Sequence, residues 1–397
     1  MFTAILDFIL KYKFIFLFYI IIIIFLILHR KRIDVQGKII FLYRTKFGLN
    51  WIEKFSTRFR EWVILLGYTG VGIAYVGMIF ISYLLIKNLY DLLFTPQAVS
   101  GVSIVLPGVS VPGLGILPFW HWLLAIFVIA LVHEFSHGIV ARAHKIEVHN
   151  TGLAFFGPII GAFVEPNEKK MAQENDIKQY SVLAAGPFSN IILGILAVLL
   201  LAFIFTPWQQ SMTEPTGFTF DAYHNDTVPI ALAGIAPGTL ITGVNALEVS
   251  RFQDASDELS CTKPGEKIEV RTANGTFPLM LGVSPDNPKK GFMGITGIRN
   301  EFETKEAYAA GWGKALYVSV DWFSNFLRWL FLLSLGIGLF NLLPLPIVDG
   351  GRMIQISLWK LKGKEKGQKW FGGVSLFFLL LLVISLVFPW ISKLFGV

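Results

Sequence analysis

Apolar side chains in this chain gather into long blocks, separated by short polar stretches and one long polar stretch. Trp62–Ile86, Ser181–Phe205, Trp329–Val348 and Phe371–Ser392 carry no charged residue. Each is long enough to cross about 30 Å of hydrocarbon as a helix. Phe14–Leu28 is shorter, but Lys11, Lys13, Arg30 and Arg32 flank it and can snorkel to the two interfaces. No small-x-small cleavage pattern follows it, so it reads as a retained anchor. Phe119–Ala141 is a further block, interrupted by histidines and a glutamate. The pattern predicts six membrane spans. Trp329–Val348 is the least regular of them, because Pro344 and Pro346 break its end.

Between the fourth and fifth blocks the pattern changes. From about Met212 to Asn300, charges, Gly, Pro, Asn and Thr rise, and no run could span a bilayer. Strand-type stretches recur at Leu240–Val244, Lys267–Arg271, Thr276–Gly282 and Gly291–Ile295, with Gly/Pro/Asn turns between them. Arg251–Leu259 has helical spacing through Phe252, Ala255 and Leu259. The segments Ala233-Gly-Ile-Ala-Pro-Gly238, Ile241-x-x-Val244-Asn245-Ala246 and Lys263-Pro264-Gly265 resemble a bacterial-type PDZ domain. The expected organisation is a membrane anchor with a basic loop (1–61), a membrane core (62–208), a PDZ-like domain (209–305) and a second membrane core (306–397). The fold class is thus a polytopic α-helical membrane protein with a small inserted α/β domain.

Composition agrees: 54% of residues are hydrophobic and mean hydropathy is +0.61, which excludes an ordinary soluble domain. The net charge of +7 does not call for nucleic acid. It concentrates in loops such as Arg30–Arg60, Arg142–Lys178 and Arg352–Lys369, which fall on one side of a six-span chain. That side is cytoplasmic, in contact with anionic headgroups of the cell membrane, and the PDZ-like domain lies opposite. Cys261 is the only cysteine, so an intrachain disulfide and a cysteine metal site are excluded.

The chemistry enters at His133-Glu134-Phe135-Ser136-His137, near the end of the block that starts at Phe119. Two histidines four apart share one helix face, so both imidazoles reach one metal ion. Glu134 lies where it can take a proton from a water that the metal activates. Two histidines leave a zinc site short of a ligand. His144, His149, Glu165 and Glu168 are within sequence reach. Asp349 is the better candidate, within Asn341-Leu-Leu-Pro344-Leu-Pro346-Ile-Val-Asp349-Gly350-Gly351-Arg352. It is an acidic residue closing an uncharged span, where prolines unwind the chain and glycines permit close backbone approach. The apolar, glycine-punctuated stretch Thr151–Val164 is too short to cross twice as helix, and fits either a re-entrant hairpin beside the motif or an interfacial loop.

His133-Glu134-x-x-His137 together with Asn341-x-x-Pro344-x-x-x-x-Asp349-Gly350 resembles the site-2 protease family of intramembrane metalloproteases. Gly186-Pro187-x-x-Asn190 is similar to an element of that family's middle core span, and Gly157–Val164 to its re-entrant β-hairpin. The resemblance implies Zn2+ bound by His133, His137 and Asp349, with Glu134 as general base. It implies substrate contacts at Asn341, Asn190, Gly157 and Gly161, and transmembrane proteins as substrates in regulated intramembrane proteolysis. Two positions depart from many members: Ser136 stands where they have Gly, and Val348 where they have Leu. Three other readings compete. A membrane metallopeptidase of another type would use a glutamate such as Glu165 as third ligand. A non-enzymatic adaptor would display the PDZ-like domain and bind no zinc. A metal transporter would need polar residues on several spans, which most spans here lack.

Overall fold

The computed structural model describes residues 12–37, 40–95, 100–102, 105–108, 110–111, 115–157, 159–225, 227–285 and 287–395. Pro158 of the expected hairpin lies outside the described residues. The chain divides into two compact units, one built from residues up to Leu201 and from Asn325 on, the other from Ala202–Ser324.

The first unit opens with α1 (Lys13–Leu28), followed by β1 (Ile33–Gln36), β2 (Ile40–Thr45), α2 (Leu49–Arg58) and α3 (Arg60–Phe94). Then come α4 (Phe119–Ala143), β3 (Val148–Phe156), β4 (Ile159–Pro166) and α5 (Asp176–Leu200), whose helical course runs on through a π turn to Ser211. Helices α3, α4 and α5 are long and apolar enough to cross a membrane. Val76 and Ile79 of α3 stand exposed, as lipid-facing side chains do. Where α3 meets α5 the contact residues are small. Gly67 lies against Ser181 and Gly70 against Phe188, so the two backbones approach closely. Val63, Val140, Ala141, Ile146, Val182 and Ala185 close a buried cluster where α3, α4 and α5 converge.

Strands β1 to β4 form one antiparallel sheet in the order β1-β2-β3-β4, and a short separate pairing joins Ser110–Val111 to Gly115–Ile116. Tyr43 pairs with Leu153, and Ala154 with Gly161. The expected hairpin over 151–164 is therefore half of a larger sheet. Its other half, β1–β2, lies in the stretch that the sequence presents as a basic loop. Arg44 explains the difference: its guanidinium pairs with Asp34 on β1 at 2.6 Å and with Glu165 on β4 at 2.9 Å. A charge that reads as loop is a cross-sheet clamp.

In the second unit, β5 (Thr213–Tyr223), β6 (Ile241–Val244), β7 (Leu247–Glu248), α6 (Phe252–Ser260), β8 (Lys267–Thr272), β9 (Gly275–Met280) and β10 (Ile295–Thr304) follow in order. The sheet order is β9-β8-β6-β5-β10, with β7 paired to β6. Phe218 with Phe220 and Ile268 with Val270 alternate inward, and with Ile241 and Val244 they are fully or nearly fully buried. Asp254 caps α6 by accepting the backbone N–H groups of Ser250 and Arg251. Three expected strands and the helix fall within two residues of these bounds. Gly291–Ile295 holds only a two-residue strand, Gly291–Phe292, and the first residue of β10, and the longest pairing, β5 with β10, runs past both ends of the expected pattern.

The chain returns with α7 (Gly311–Phe340), α8 (Asp349–Lys362) and α9 (Lys364–Phe395). Among the described residues, five helices are long and apolar enough to span: α3, α4, α5 with its continuation, α7 and α9. The sixth expected span, α1, has 16 residues, or about 24 Å of helix, short of the hydrocarbon thickness. The span expected at Trp329–Val348 is shifted: α7 begins at Gly311 and stops at Phe340, ahead of the prolines. Lys314, Asp321 and Arg328 interrupt the apolar run in sequence without interrupting the helix.

Candidate metal centre

Helix α4 carries His133, Glu134 and His137, and its one-turn spacing turns both imidazoles toward α5. Position 186 of α5 faces them, and a Cβ there would run into both Nε2 atoms. Glycine at that position lets the second helix lie directly over the two rings. Pro187 follows inside the helix, where its missing N–H loosens the ladder.

The third group arrives from the unwound segment after α7. Asp349 is the first residue of α8, and its position is set by two glycines. The Gly350 N–H donates to the Asn341 carbonyl at 2.8 Å. A Cβ on Gly350 would strike the Leu342 backbone, and one on Gly351 the Leu345 backbone. The first turn of α8 is thus folded back against residues 341–345, and the Asp349 carboxylate points into the site.

The result is a tight triangle. His133 Nε2 and His137 Nε2 are 3.1 Å apart. Asp349 Oδ2 is 3.2 Å from the first and 3.4 Å from the second. Tetrahedral zinc with ligands at about 2.0–2.1 Å sets ligand atoms roughly 3.3 Å from one another. The three atoms therefore have the spacing of three corners around one ion. Among the described residues, His133, His137 and Asp349 form the group that could hold a metal.

The outer partners fix the rings. The Val182 carbonyl can only accept, and His137 Nδ1 lies 2.7 Å from it. That nitrogen carries the proton, which leaves Nε2 free to ligate. The Asn190 carboxamide lies 3.1 Å from His133 Nδ1. The atom at that distance is Nδ2; Asn190 is fully buried and its Oδ1 has no partner, so turning the carboxamide over brings Oδ1 to a proton on Nδ1 when Nε2 ligates. Ser334 donates to the Asn190 carbonyl at 2.7 Å, pinning that turn of α5.

Glu134 faces the same space, and its Oε2 accepts the backbone N–H of Val164 on β4 at 3.3 Å. A cavity of about 250 Å³ opens there, lined by the triad, Glu134, Val164, Asn341, Ile347 and Arg352 among others. Asn341 is the one expected substrate contact that lines it. Asn190 lies behind His133 instead. Gly157 sits at the exposed tip of the β3–β4 hairpin with φ +53°, and Gly161 packs near Ala130 of α4.

Three of the four competing ligands are engaged elsewhere. Glu165 accepts from Arg44 and Asn150, and the Arg44 hydrogen bond holds its carboxyl below the usual range. His144 Nε2 lies 3.2 Å from the Ser181 hydroxyl, and Glu168 pairs with Arg352. Ser136, one of the two departures from the family pattern, turns its hydroxyl back to the Val132 carbonyl at 2.7 Å. The sequence marks Gly186 within the Gly186-Pro187-x-x-Asn190 element but not the imidazoles it approaches, and carries no signal for the Val182 carbonyl.

The family model for Peptidase family M50 matches residues 121–384. Zinc metalloprotease RasP of Oceanobacillus iheyensis is 41% identical over 308 residues, which cover 64% of this chain and 71% of the relative. Zinc metalloprotease RasP of Shouchella clausii is 25% identical over 281 residues, 60% of this chain and 65% of the relative. An uncharacterized protein of Methanocaldococcus jannaschii is 25% identical over 323 residues, 80% of this chain and 77% of its own.

Proposed function

The chain belongs to peptidase family M50, and from that premise we propose that His133, His137 and Asp349 are zinc ligands and Glu134 the general base. The protein is an intramembrane zinc metalloprotease of the site-2 type, multi-pass in the cell membrane, hydrolysing peptide bonds within or near transmembrane helices of its substrates. The observation that carries the residue assignment is the ligand triangle with edges of 3.1, 3.2 and 3.4 Å.

Zinc, when bound, supplies Lewis acidity, lowering the pKa of a water toward about 7 and polarising the carbonyl under attack. Glu134 takes the proton of the attacking water and returns it to the leaving amine. Val182 and Asn190 hold the imidazoles in the tautomer that ligation needs. The substrate is a transmembrane segment, whose carbonyls are hidden until it unwinds. Strand β4 is the edge of its sheet among the described residues, and its Val164 N–H already reaches Glu134. An extended substrate segment joins that edge by strand addition, which lays its backbone along the cavity. Asn341 bonds the exposed backbone, and Gly157 and Gly161 shape the hairpin that receives it.

The hairpin β3–β4 is a re-entrant element. Its packing against a spanning helix through Gly161 and Ala130 supports this. The site faces the cytoplasm, supported by the basic residues that follow Asp349 and by Arg142 and Lys145 after the motif. The segment 209–305 is an extracytoplasmic PDZ-like domain. A groove of about 240 Å³ between α6 and residues 290–295, lined by Phe252, Leu259, Lys290 and Met293, suits a peptide end.

The test is Glu134→Gln. The variant retains zinc and loses cleavage of a transmembrane test substrate. Cleavage at the wild-type rate would overturn the base assignment.

A further inference from the structure

Helix α2 is not used by the mechanism, yet it leans directly on the motif helix. Ile52 and Ser56 face inward and are 1% exposed. Ile52 fills the notch left by Gly138 of α4, one residue past His137. Glu53 pairs with Arg142 of α4. Gly48, where α2 begins, abuts the ring of Phe135, and Trp51 lies 6.2 Å from that ring. Phe135 is the neighbour of Glu134.

The opposite face is exposed, the contact of Trp51 with Phe135 aside. Phe47, Trp51, Phe55 and Phe59 recur every fourth residue and form an aromatic ridge, 86%, 54%, 37% and 42% exposed. Trp51 and Phe55 stack at 5.4 Å. Lys54 and Arg58 lie on that same face, with Lys46 just ahead of it. The helix's one carboxylate, Glu53, is turned away to Arg142. The outward surface is therefore aromatic and cationic, with no acidic residue.

Its height relative to the membrane follows from its neighbours. Residue Phe59 joins α2 to α3 without a linker, and the Val63 N–H donates back to the Phe59 carbonyl. Arg60 Nε donates to the Ala143 carbonyl at the end of α4 at 3.0 Å. Helix α2 thus lies level with the polar ends of two spanning helices. An amphipathic helix at that level with aromatic and cationic residues on its free face has the composition of an in-plane interfacial helix.

We propose that the outward face of α2 is a membrane-surface anchor, with its aromatic ridge in the headgroup–acyl boundary and Lys46, Lys54 and Arg58 on the phosphates of anionic phospholipids. Through Ile52, Glu53 and the Phe135 contacts, this docking steadies the helix that carries the catalytic motif. Anionic lipid then promotes proteolysis through α2.

The test uses the full chain in nanodiscs of phosphatidylcholine with or without phosphatidylglycerol. On a Cys261→Ser background, a bimane label is placed at Phe47→Cys on the ridge or at Asn50→Cys, an exposed polar position. The label at 47 is quenched by lipids spin-labelled near the headgroup and is shielded from aqueous iodide. The label at 50 is severalfold more open to iodide. Adding Lys54→Glu with Arg58→Glu reduces the shielding at 47 severalfold in phosphatidylglycerol discs and removes the lipid dependence of cleavage. Equal iodide access at 47 and 50 overturns the proposal. So does shielding at 47 that ignores the charge reversals and rises with protein concentration, which would mark a second copy as the occupant. The labelling readout needs no proteolysis, so its failure is distinct from failure of the protease assignment.

Discussion

Asn190 lies with its carboxamide 3.1 Å from Nδ1 of His133 and none of its side chain exposed. An amide buried there faces the ring, and with its Oδ1 turned to Nδ1 it leaves Nε2 free for the proposed metal. Asn190→Ala therefore weakens zinc binding by about 10–100-fold, the usual cost of losing a ligand's outer partner. Competition against a fluorescent zinc chelator reads this directly. Asn190→Asp, which keeps an acceptor at the same place, restores most of the affinity.

Gly186 leaves no room for a side chain over the two imidazoles of the proposed metal site. A methyl group there would meet both Nε2 atoms, and neither imidazole can yield, since Val182 and Asn190 hold them from behind. Gly186→Ala costs about 1–3 kcal/mol of stability from overpacking and lowers the zinc content of the purified protein. Gly72→Ala on α3 is the control, because a Cβ there meets nothing. Its thermal midpoint in detergent stays unchanged or rises.

The Arg44–Glu165 clamp gives the sheet an acid limit. The Glu165 carboxyl is held low by its hydrogen bond to Arg44. A depressed carboxyl contributes stability above its unfolded value, and that contribution is lost as pH falls through the lower folded value. Arg44→Gln removes it, so the variant is less stable than wild type at neutral pH, and the gap closes in acid. Both groups are about one-third exposed, so the difference is about 1 kcal/mol or less. Thermal midpoints measured from pH 7 down to acid, in one detergent, show the two curves converging.

Much of this was legible in the sequence because the signals are local. One helical turn joins His133 to His137, and proline and glycine around Asp349 mark a broken, closely packed backbone. What escaped depends on contacts between distant segments. Gly186 and Val182 matter only because α5 crosses α4 at that height. Strands β1 and β2 look like a basic loop until Arg44 finds Asp34 and Glu165. The start of α7 was hidden because Lys314, Asp321 and Arg328 break an apolar run that the helix itself ignores. Asn190 was marked by its motif, but its partner, a buried imidazole on another helix, has no trace along the chain.

The central claim is that Asp349 completes a zinc site begun by two histidines on α4. Zinc content of the purified full chain, measured by plasma mass spectrometry after dialysis against a weak chelator, tests it most directly. The account predicts one zinc per chain in wild type and in Glu165→Ala, and none retained in Asp349→Ala or His133→Ala. Full zinc in Asp349→Ala, with loss in Glu165→Ala, would contradict it.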